Sequence, residues 1–256
     1  MRPIQTLFLS FALASAAITP AYAAEPSAAE LVGKNLAARG GADAMKALKN
    51  VRFKGKVRFP GDFELDYLET RSRSGTAATG AVRYDSTLQG LTLVQAFDGK
   101  SGWTINPFQG RRDAETMSAD DARSLADSGL IDGPLLSATG NGSKIEYLGR
   151  EDYDGTQAYK LRVSEKDGDS FVYLLDPDTY LEIAMTETRK VRGAEQVFEY
   201  EMADYEKVGG VYFPMSVQSG PKGSTQRQQV SIETASANAD VKPDYFVQPV
   251  SPAQSK

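Results

Sequence analysis

From Val51 onward, apolar and polar residues alternate with a period of two. Phe63, Leu65 and Tyr67 share one parity against Glu64 and Asp66. The same holds for Leu91, Leu93 and Phe97, for Phe171, Tyr173 and Leu175, for Phe198, Tyr200 and Met202, and for Val211, Phe213, Met215 and Val217. A strand turns successive side chains to opposite faces, so this alternation predicts half-buried antiparallel strands. Turn signals fall between the runs at hairpin spacing: Pro60-Gly61, Asp98-Gly99, Asn141-Gly142, Asp154-Gly155, Asp167-Gly168, Gly209-Gly210 and Pro221-Lys222-Gly223. Counting runs between turns predicts about ten or eleven strands.

Helical patterns appear in two places. Ser27-Ala28-Ala29-Glu30 is a capping box, in which the Ser27 hydroxyl accepts from the backbone of Glu30 and the Glu30 side chain reaches back. Leu31, Val32 and Leu36 then fall on one face, and Gly40-Gly41 ends the helix. A shorter amphipathic turn carrying Met45 and Leu48 runs to about Lys49. Later, Ser118–Ile131 reads as a helix with Ser118 as N-cap, Asp120 and Asp121 in its first turn, and Leu125 and Leu130 along it. Gly133-Pro134-Leu135-Leu136 follows and reads as an apolar loop. Helix, many strands, helix, many strands is an order that one highly curved antiparallel sheet with helices over one opening satisfies.

The N-terminus changes the picture by setting a compartment. Arg2, the apolar stretch Leu7–Ile18, the breaker Pro20 and the small-x-small run Ala21-Tyr22-Ala23 are the parts of a cleavable export signal over residues 1–23. The stretch is shorter than the roughly 20 apolar residues a membrane span needs. Residues 24–256 are then expected as one exported domain, soluble in the periplasm. The chain has no Cys, so neither a lipidated N-terminal cysteine nor a disulfide framework is available. It also has no His, which removes Ser-His and Cys-His nucleophile pairs and the commonest transition-metal ligand. Without Arg2, 28 Lys+Arg stand against 34 Asp+Glu, a net charge of −6 with no basic block. That balance argues against a nucleic-acid partner and against simple adsorption to anionic lipid heads.

Several segments carry a family resemblance. They are Phe97-Asp98-Gly99-Lys100-Ser101-Gly102-Trp103, Tyr147-Leu148-Gly149-Arg150-Glu151, Tyr173 through Leu181 with its Asp176-Pro177-Asp178, Asp204 through Pro214, and Tyr245-Phe246-Val247-Gln248-Pro249. Each is a strand-turn-strand pattern. In this order and spacing, from about Ala28 to Pro249, the chain resembles the LolA-like envelope proteins, the periplasmic lipoprotein carriers and outer-membrane lipoprotein-sorting proteins. The resemblance implies a mainly β (α+β) fold, an unclosed antiparallel barrel of about eleven strands with lid helices over its concave face. It implies a carrier that holds lipoprotein acyl chains, taken from a membrane donor complex and passed to an outer-membrane acceptor, without enzymatic activity or cofactor. The chain departs from the best-known carriers by an extended segment around Ser74–Leu88.

Lipid tails require apolar area rather than directed chemistry, at roughly 25 cal/mol per Å² shielded from water. The candidate wall is Leu65, Tyr67, Leu93, Phe97, Trp103, Ile105, Phe171, Tyr173, Leu175, Tyr200, Met202 and Met215; any one of these also suits an ordinary filled core. The candidate lid carries Leu125, Leu130, Leu135 and Leu136, and a helix permanently plugging the barrel fits them equally. Three acidic clusters, Glu151–Asp154, Asp167–Asp169 and Asp176–Asp178, have a calcium reading, but Asp beside Gly or Pro is what tight turns use, and no EF-hand loop is present. The basic doublets Arg111-Arg112 and Lys190-Val191-Arg192 suit a lipid head group or an acidic partner, and solvated surface better. Two alternatives to a carrier remain at this level: a module that senses lipid or lipoprotein and regulates a membrane partner, and, further behind, a hydrolase.

Overall fold

The computed structural model describes residues 25–61, 63–73, 80–242 and 244–250. The export-signal reading of residues 1–23 and residues 74–79 of the extended segment lie outside the described residues. Helix α1 (Ala28–Ala38) begins at the predicted capping box: the Ser27 hydroxyl accepts from the Glu30 amide at 3.2 Å, and Glu30 Oε2 accepts from the Ser27 amide at 3.4 Å. The helix ends at Arg39, and Gly40, at φ 117°, turns the chain directly into α2 (Gly41–Ala47). An added Cβ at Gly40 would overlap the Gly210 carbonyl, so the glycine is required by packing as well as by dihedral.

Six strands follow: β1 (Asn50–Phe59), β2 (Phe63–Arg73), β3 (Gly80–Leu88), β4 (Leu91–Phe97), β5 (Gly102–Asn106) and β6 (Arg111–Thr116). Helices α3 (Ala119–Ser128) and α4 (Gly133–Asn141) intervene. Then come β7 (Lys144–Tyr153), β8 (Thr156–Ser164), β9 (Ser170–Leu175), β10 (Glu182–Val191), β11 (Ala194–Val208), β12 (Val211–Pro221) and β13 (Gln228–Ala237). All join one antiparallel sheet in the order β6-β5-β4-β3-β2-β1-β13-β12-β11-β10-β9-β8-β7, with β6 and β7 as free edges. The sheet is therefore unclosed, as expected, but has thirteen strands among the described residues rather than about eleven. The hairpins at Gln89-Gly90 and Arg192-Gly193, both with positive φ, supply turns that lack a Pro or Asp signal.

The segment read as an apolar loop is a helix. Pro134 occupies the first turn of α4, where a missing N–H costs nothing, and Leu135, Leu136 and Ala138 are buried. Asn141-Gly142 caps that helix instead of turning a hairpin. The preceding helix is shorter than Ser118–Ile131: Ser118 caps it, accepting from the Asp121 amide at 3.2 Å, and Leu130 and Ile131 lie past its end.

The sheet must curve strongly. Strands β3 and β10 are six places apart, about 29 Å in a flat sheet at 4.8 Å per strand. A ten-residue helix is only about 15 Å long, yet α3 packs against β3, β4 and β5 on one side and β10 on the other. The helices thus lie on one face, the inner one. Its main core unites Leu31 and Val32 of α1, Met45 of α2 and Leu135 of α4 with Val51, Phe53, Leu161, Val163, Phe171, Tyr173, Leu175, Val211, Phe213 and Met215 of the strands.

Candidate functional site

Strand pairing decides which candidate residues share the inner face. Phe97 is paired with Gly102, so Trp103 pairs with Ala96 and Ile105 with Val94. These four form a cluster on the outer face, where the Trp103 indole N–H donates to the Phe246 carbonyl at 2.7 Å. Arg83 donates to the Tyr245 carbonyl at 3.1 Å and lies over that ring, so the C-terminal segment covers the outer surface there. Trp103 and Ile105 are thereby separated from the other ten candidates.

Those ten divide again. Phe171, Tyr173, Leu175 and Met215 belong to the main core beneath the helices, together with Leu135 and Leu136 of α4. Phe97 packs with Val82 against Ala122 and Leu125 of α3. Leu65 and Tyr67 form a different cluster with Val57, joined by Phe59, Tyr84, Leu88, Val230 and Ile232. No helix residue belongs to it. Leu93, paired with Ser86 on β3, and Met202, paired with Val217 on β12, are half-buried on this same inner face. The inner face therefore has a helix-covered end and an apolar stretch made by strands alone. Sequence reading missed Val57, Phe59, Leu88 and Val230; the unbroken parity of Val51, Phe53, Val57 and Phe59 along β1 was the available signal.

Between the two ends runs a belt of buried polar groups. On β2 the Tyr67 hydroxyl donates to Glu69 Oε2 at 2.7 Å, and Arg71 donates to the other Glu69 oxygen. The rings of Tyr67 and Tyr84 are 6.1 Å apart. Across the interior, the Tyr200 hydroxyl donates to Glu187 Oε2 at 2.7 Å. Burial is the main reason the Tyr67 and Tyr84 hydroxyls resist ionisation, and it pushes Tyr200 up to about 12, with Tyr84 adding to that shift.

The belt continues into the attachment of α3. Arg189 on β10 donates to Glu187, to Asp169 at 2.8 Å and to Asp127 of α3 at 2.6 Å. Arg123 of α3 donates to the Lys190 carbonyl at 2.9 Å, and Asp120 accepts from the Arg192 amide at 2.9 Å. Part of the Lys190-Val191-Arg192 doublet is thus a docking point for α3. The acidic clusters also resolve individually. Asp176 accepts from the Asp178 and Thr179 amides, and Asp152 from the Gly155 amide, as turn residues do, whereas Asp169 is a buried ion-pair partner.

Carboxylates outnumber cations around this attachment. Burial first, then the charges of Asp127 and Asp167, push Glu165 up to about 7; burial likewise raises Asp127 against the pull of Arg189. A folded-state value above the unfolded one means that ionised Glu165 destabilises the fold above pH 7, and that this penalty vanishes below about 4.5. Glu165→Gln is expected to raise the melting temperature by about 3 °C at pH 8, from about 1 kcal/mol after discounting for a half-exposed carboxyl, and to change nothing at pH 4. Scanning calorimetry at the two pH values checks this; equal shifts at both exclude the ionisation as the cause.

A groove of about 320 Å³ opens on the outer face instead, floored by Val172, Leu174 and Ala184. Lys160 and Glu151 pair along its edge, as do Arg227 and Glu201. Its charged rim makes it a poor shelter for an acyl chain, whereas the strand-only inner surface is lined mainly by apolar side chains.

No family model matches the sequence, and no curated relative does. Solved structures do. A LolA superfamily protein from Nitrosomonas europaea is 12% identical with a TM-score of 0.56, over 87% of this chain and 98% of that one. A domain assigned to outer-membrane lipoprotein sorting from Vibrio parahaemolyticus is 10% identical with a TM-score of 0.58, over 84% of this chain and 97% of its own. A DUF1329 family protein from Desulfovibrio piger is 12% identical with a TM-score of 0.58, over 84% and 95%. The chain has the LolA-like fold over most of its length, as the resemblance in its sequence implied. Among the described residues, no helix is long and apolar enough to cross a membrane.

Proposed function

We propose that this protein shelters the acyl chains of lipoproteins or lipids on the strand-only inner surface and carries them through the periplasm toward the outer membrane. The observation that supports this most is an apolar cluster inside a LolA-like sheet to which no helix contributes. Leu65, Tyr67, Leu93 and Met202 remain its wall among the sequence candidates, joined by Val57, Leu88 and Val230. Met202 adds an adaptable thioether to that wall. A C16 chain fully enclosed gains on the order of 10 kcal/mol at about 0.8 per methylene, so no catalytic group or cofactor is needed. Helix α3, resting on the polar belt, acts as the lid. Residues 1–23 act as the cleaved export signal, and a membrane donor and an outer-membrane acceptor complete the route.

The test has two parts. Mass spectrometry of the protein after mild extraction from the envelope is expected to show bound lipoprotein or lipid. In vitro, an environment-sensitive acyl dye is expected to bind the wild type, and Leu93→Glu to weaken it at least tenfold, because a charge on the wall must be desolvated or exclude the tail. Equal binding by both proteins, with the fold intact, removes Leu93 from the wall; no binding by the wild type and no co-purified lipid overturn the carrier reading.

A further inference from the structure

Six large apolar side chains are exposed among the described residues, and three of them, Phe63 at 47%, Leu91 at 41% and Phe108 at 42%, recur at one kind of place. Phe63 follows the β1–β2 tip, Leu91 the β3–β4 tip, and Phe108 lies in the 3-10 turn Pro107–Gln109 between β5 and β6. The pairings Phe59 with Phe63, Leu88 with Leu91 and Asn106 with Arg111 put all three tips on the same edge of the sheet. Alternate hairpins are two strand spacings apart, about 10 Å, so the three side chains span about 20 Å.

Their setting tells what they meet. Each apolar side chain sits at its own hairpin tip, beside Pro60-Gly61, Gln89-Gly90 or Gln109-Gly110, and Phe63 leans on Phe59 with ring centroids 6.3 Å apart, so they are spaced prongs rooted in the sheet. A protein partner is bound by a contiguous desolvated patch. Spaced prongs suit a deformable medium in which each finds apolar depth independently, and the interfacial layer of a bilayer is such a medium. The surface behind them is continuous with the inner wall: Leu88, the partner of Leu91, packs into the Leu65 cluster. Arg58 and Arg111 lie beside the prongs but are held by Glu64 and Glu115, so charge is not the main attraction.

We propose that this edge is a docking rim for a phospholipid bilayer, inserting Phe63, Leu91 and Phe108 so that the inner wall opens directly onto the acyl layer. The purpose given to the rim rests on the carrier reading; the docking itself is measured without it. Flotation with vesicles of phosphatidylcholine alone, and of phosphatidylethanolamine with phosphatidylglycerol, is expected to carry the wild type in both, with little loss at high salt. Each single change, Phe63→Ser, Leu91→Ser or Phe108→Ser, is expected to lower the partition coefficient about three- to tenfold, and the triple change about a hundredfold or more. A second readout is independent of those variants. Trp103 is buried at 1% exposure and is the chain's only tryptophan, so Phe108→Trp adds an indole that bromine-labelled lipids are expected to quench.

The proposal is overturned by a wild type that stays at the bottom of the gradient, by a triple variant that floats as before, or by an unquenched Trp at position 108. It is overturned also by flotation that needs phosphatidylglycerol and disappears with salt, which is adsorption through charge. Wild-type self-association without vesicles, lost in the triple variant, makes the rim an interface between copies instead. Acyl-dye binding without flotation leaves the carrier reading standing and removes the rim; flotation without dye binding does the reverse.

Discussion

Arg189→Met is expected to cost about 3–5 kcal/mol of folding stability, because it removes the cation shared by three carboxylates. Asp169 is 1% exposed and Glu187 6%, so neither can recover its hydration once the guanidinium is gone. Asp127 is already raised by burial with Arg189 present and rises further without it. The methionine stem still covers the Phe171 ring, over which the guanidinium sits at 5.4 Å, so the loss is electrostatic more than steric. The sign of the pH dependence follows. Asp127, held above the usual carboxylate range by burial, takes up its proton more readily once the guanidinium is gone, so the deficit of Arg189→Met relative to the wild type is largest near pH 8 and shrinks toward pH 5. Denaturant titrations at both pH values check the size and the trend. Hydrogen exchange locates the effect: because Asp127 is the α3 member of the network, the amides of Ala119–Ser128 are expected to lose protection first. A deficit below about 1 kcal/mol, constant with pH, would show that α3 is held by its apolar face alone.

This network illustrates what local pattern carries and what it does not. The cap of α1, the parity of Leu91, Leu93 and Phe97, and most turns depend on residues a few places apart, and all were legible. The side on which Trp103 points is a different matter. Within β5 its parity is plain, but its relation to Phe97 depends on the pairing across the tip at 98–101, which sets Gly102 opposite Phe97. Helix α4 was hidden because Gly133, Pro134 and Gly140 are poor helix formers; Pro134 is tolerated only in the first turn, and buried Leu135 and Leu136 supply the tertiary gain that outweighs propensity. Glu187 and Arg189 lie in the polar-looking run Thr186–Lys190, whose burial arises from contacts 20 and 62 residues away. The candidate wall was legible as a class of residues, and its division into helix-covered core and strand-only surface was not, since that depends on where α3 comes to rest.

Where α3 rests is also what separates a lid from a plug, and Gly80→Ala is expected to distinguish them. Gly80 opens β3 and meets the far end of α3 backbone to backbone: a Cβ there would overlap the Gly129 carbonyl. Neither partner is a side chain that can rotate aside, and Gly129 returns the contact, its own added Cβ lying 3.3 Å from the Gly80 backbone. The substitution therefore pushes α3 off β3 while leaving Leu125, Phe97 and the Arg189 network chemically intact. Overpacking of this kind costs about 1–3 kcal/mol. If the docked and undocked positions of α3 are a gate, a shift of about 2 kcal/mol multiplies the open population about thirtyfold. Loading of the acyl dye, followed by stopped flow, is then expected to accelerate about ten- to thirtyfold. A plug behaves differently, because its undocking exposes core without opening a route: stability falls by the same amount while loading stays at the wild-type rate. The same contact sets the direction of the gate. The glycine pair lies on the side of α3 that meets β3, whereas Asp120, Arg123 and Asp127 tie the helix along its length to the end of β10, so Gly80→Ala loosens the side beside β3 first, and α3 swings about its attachment to β10.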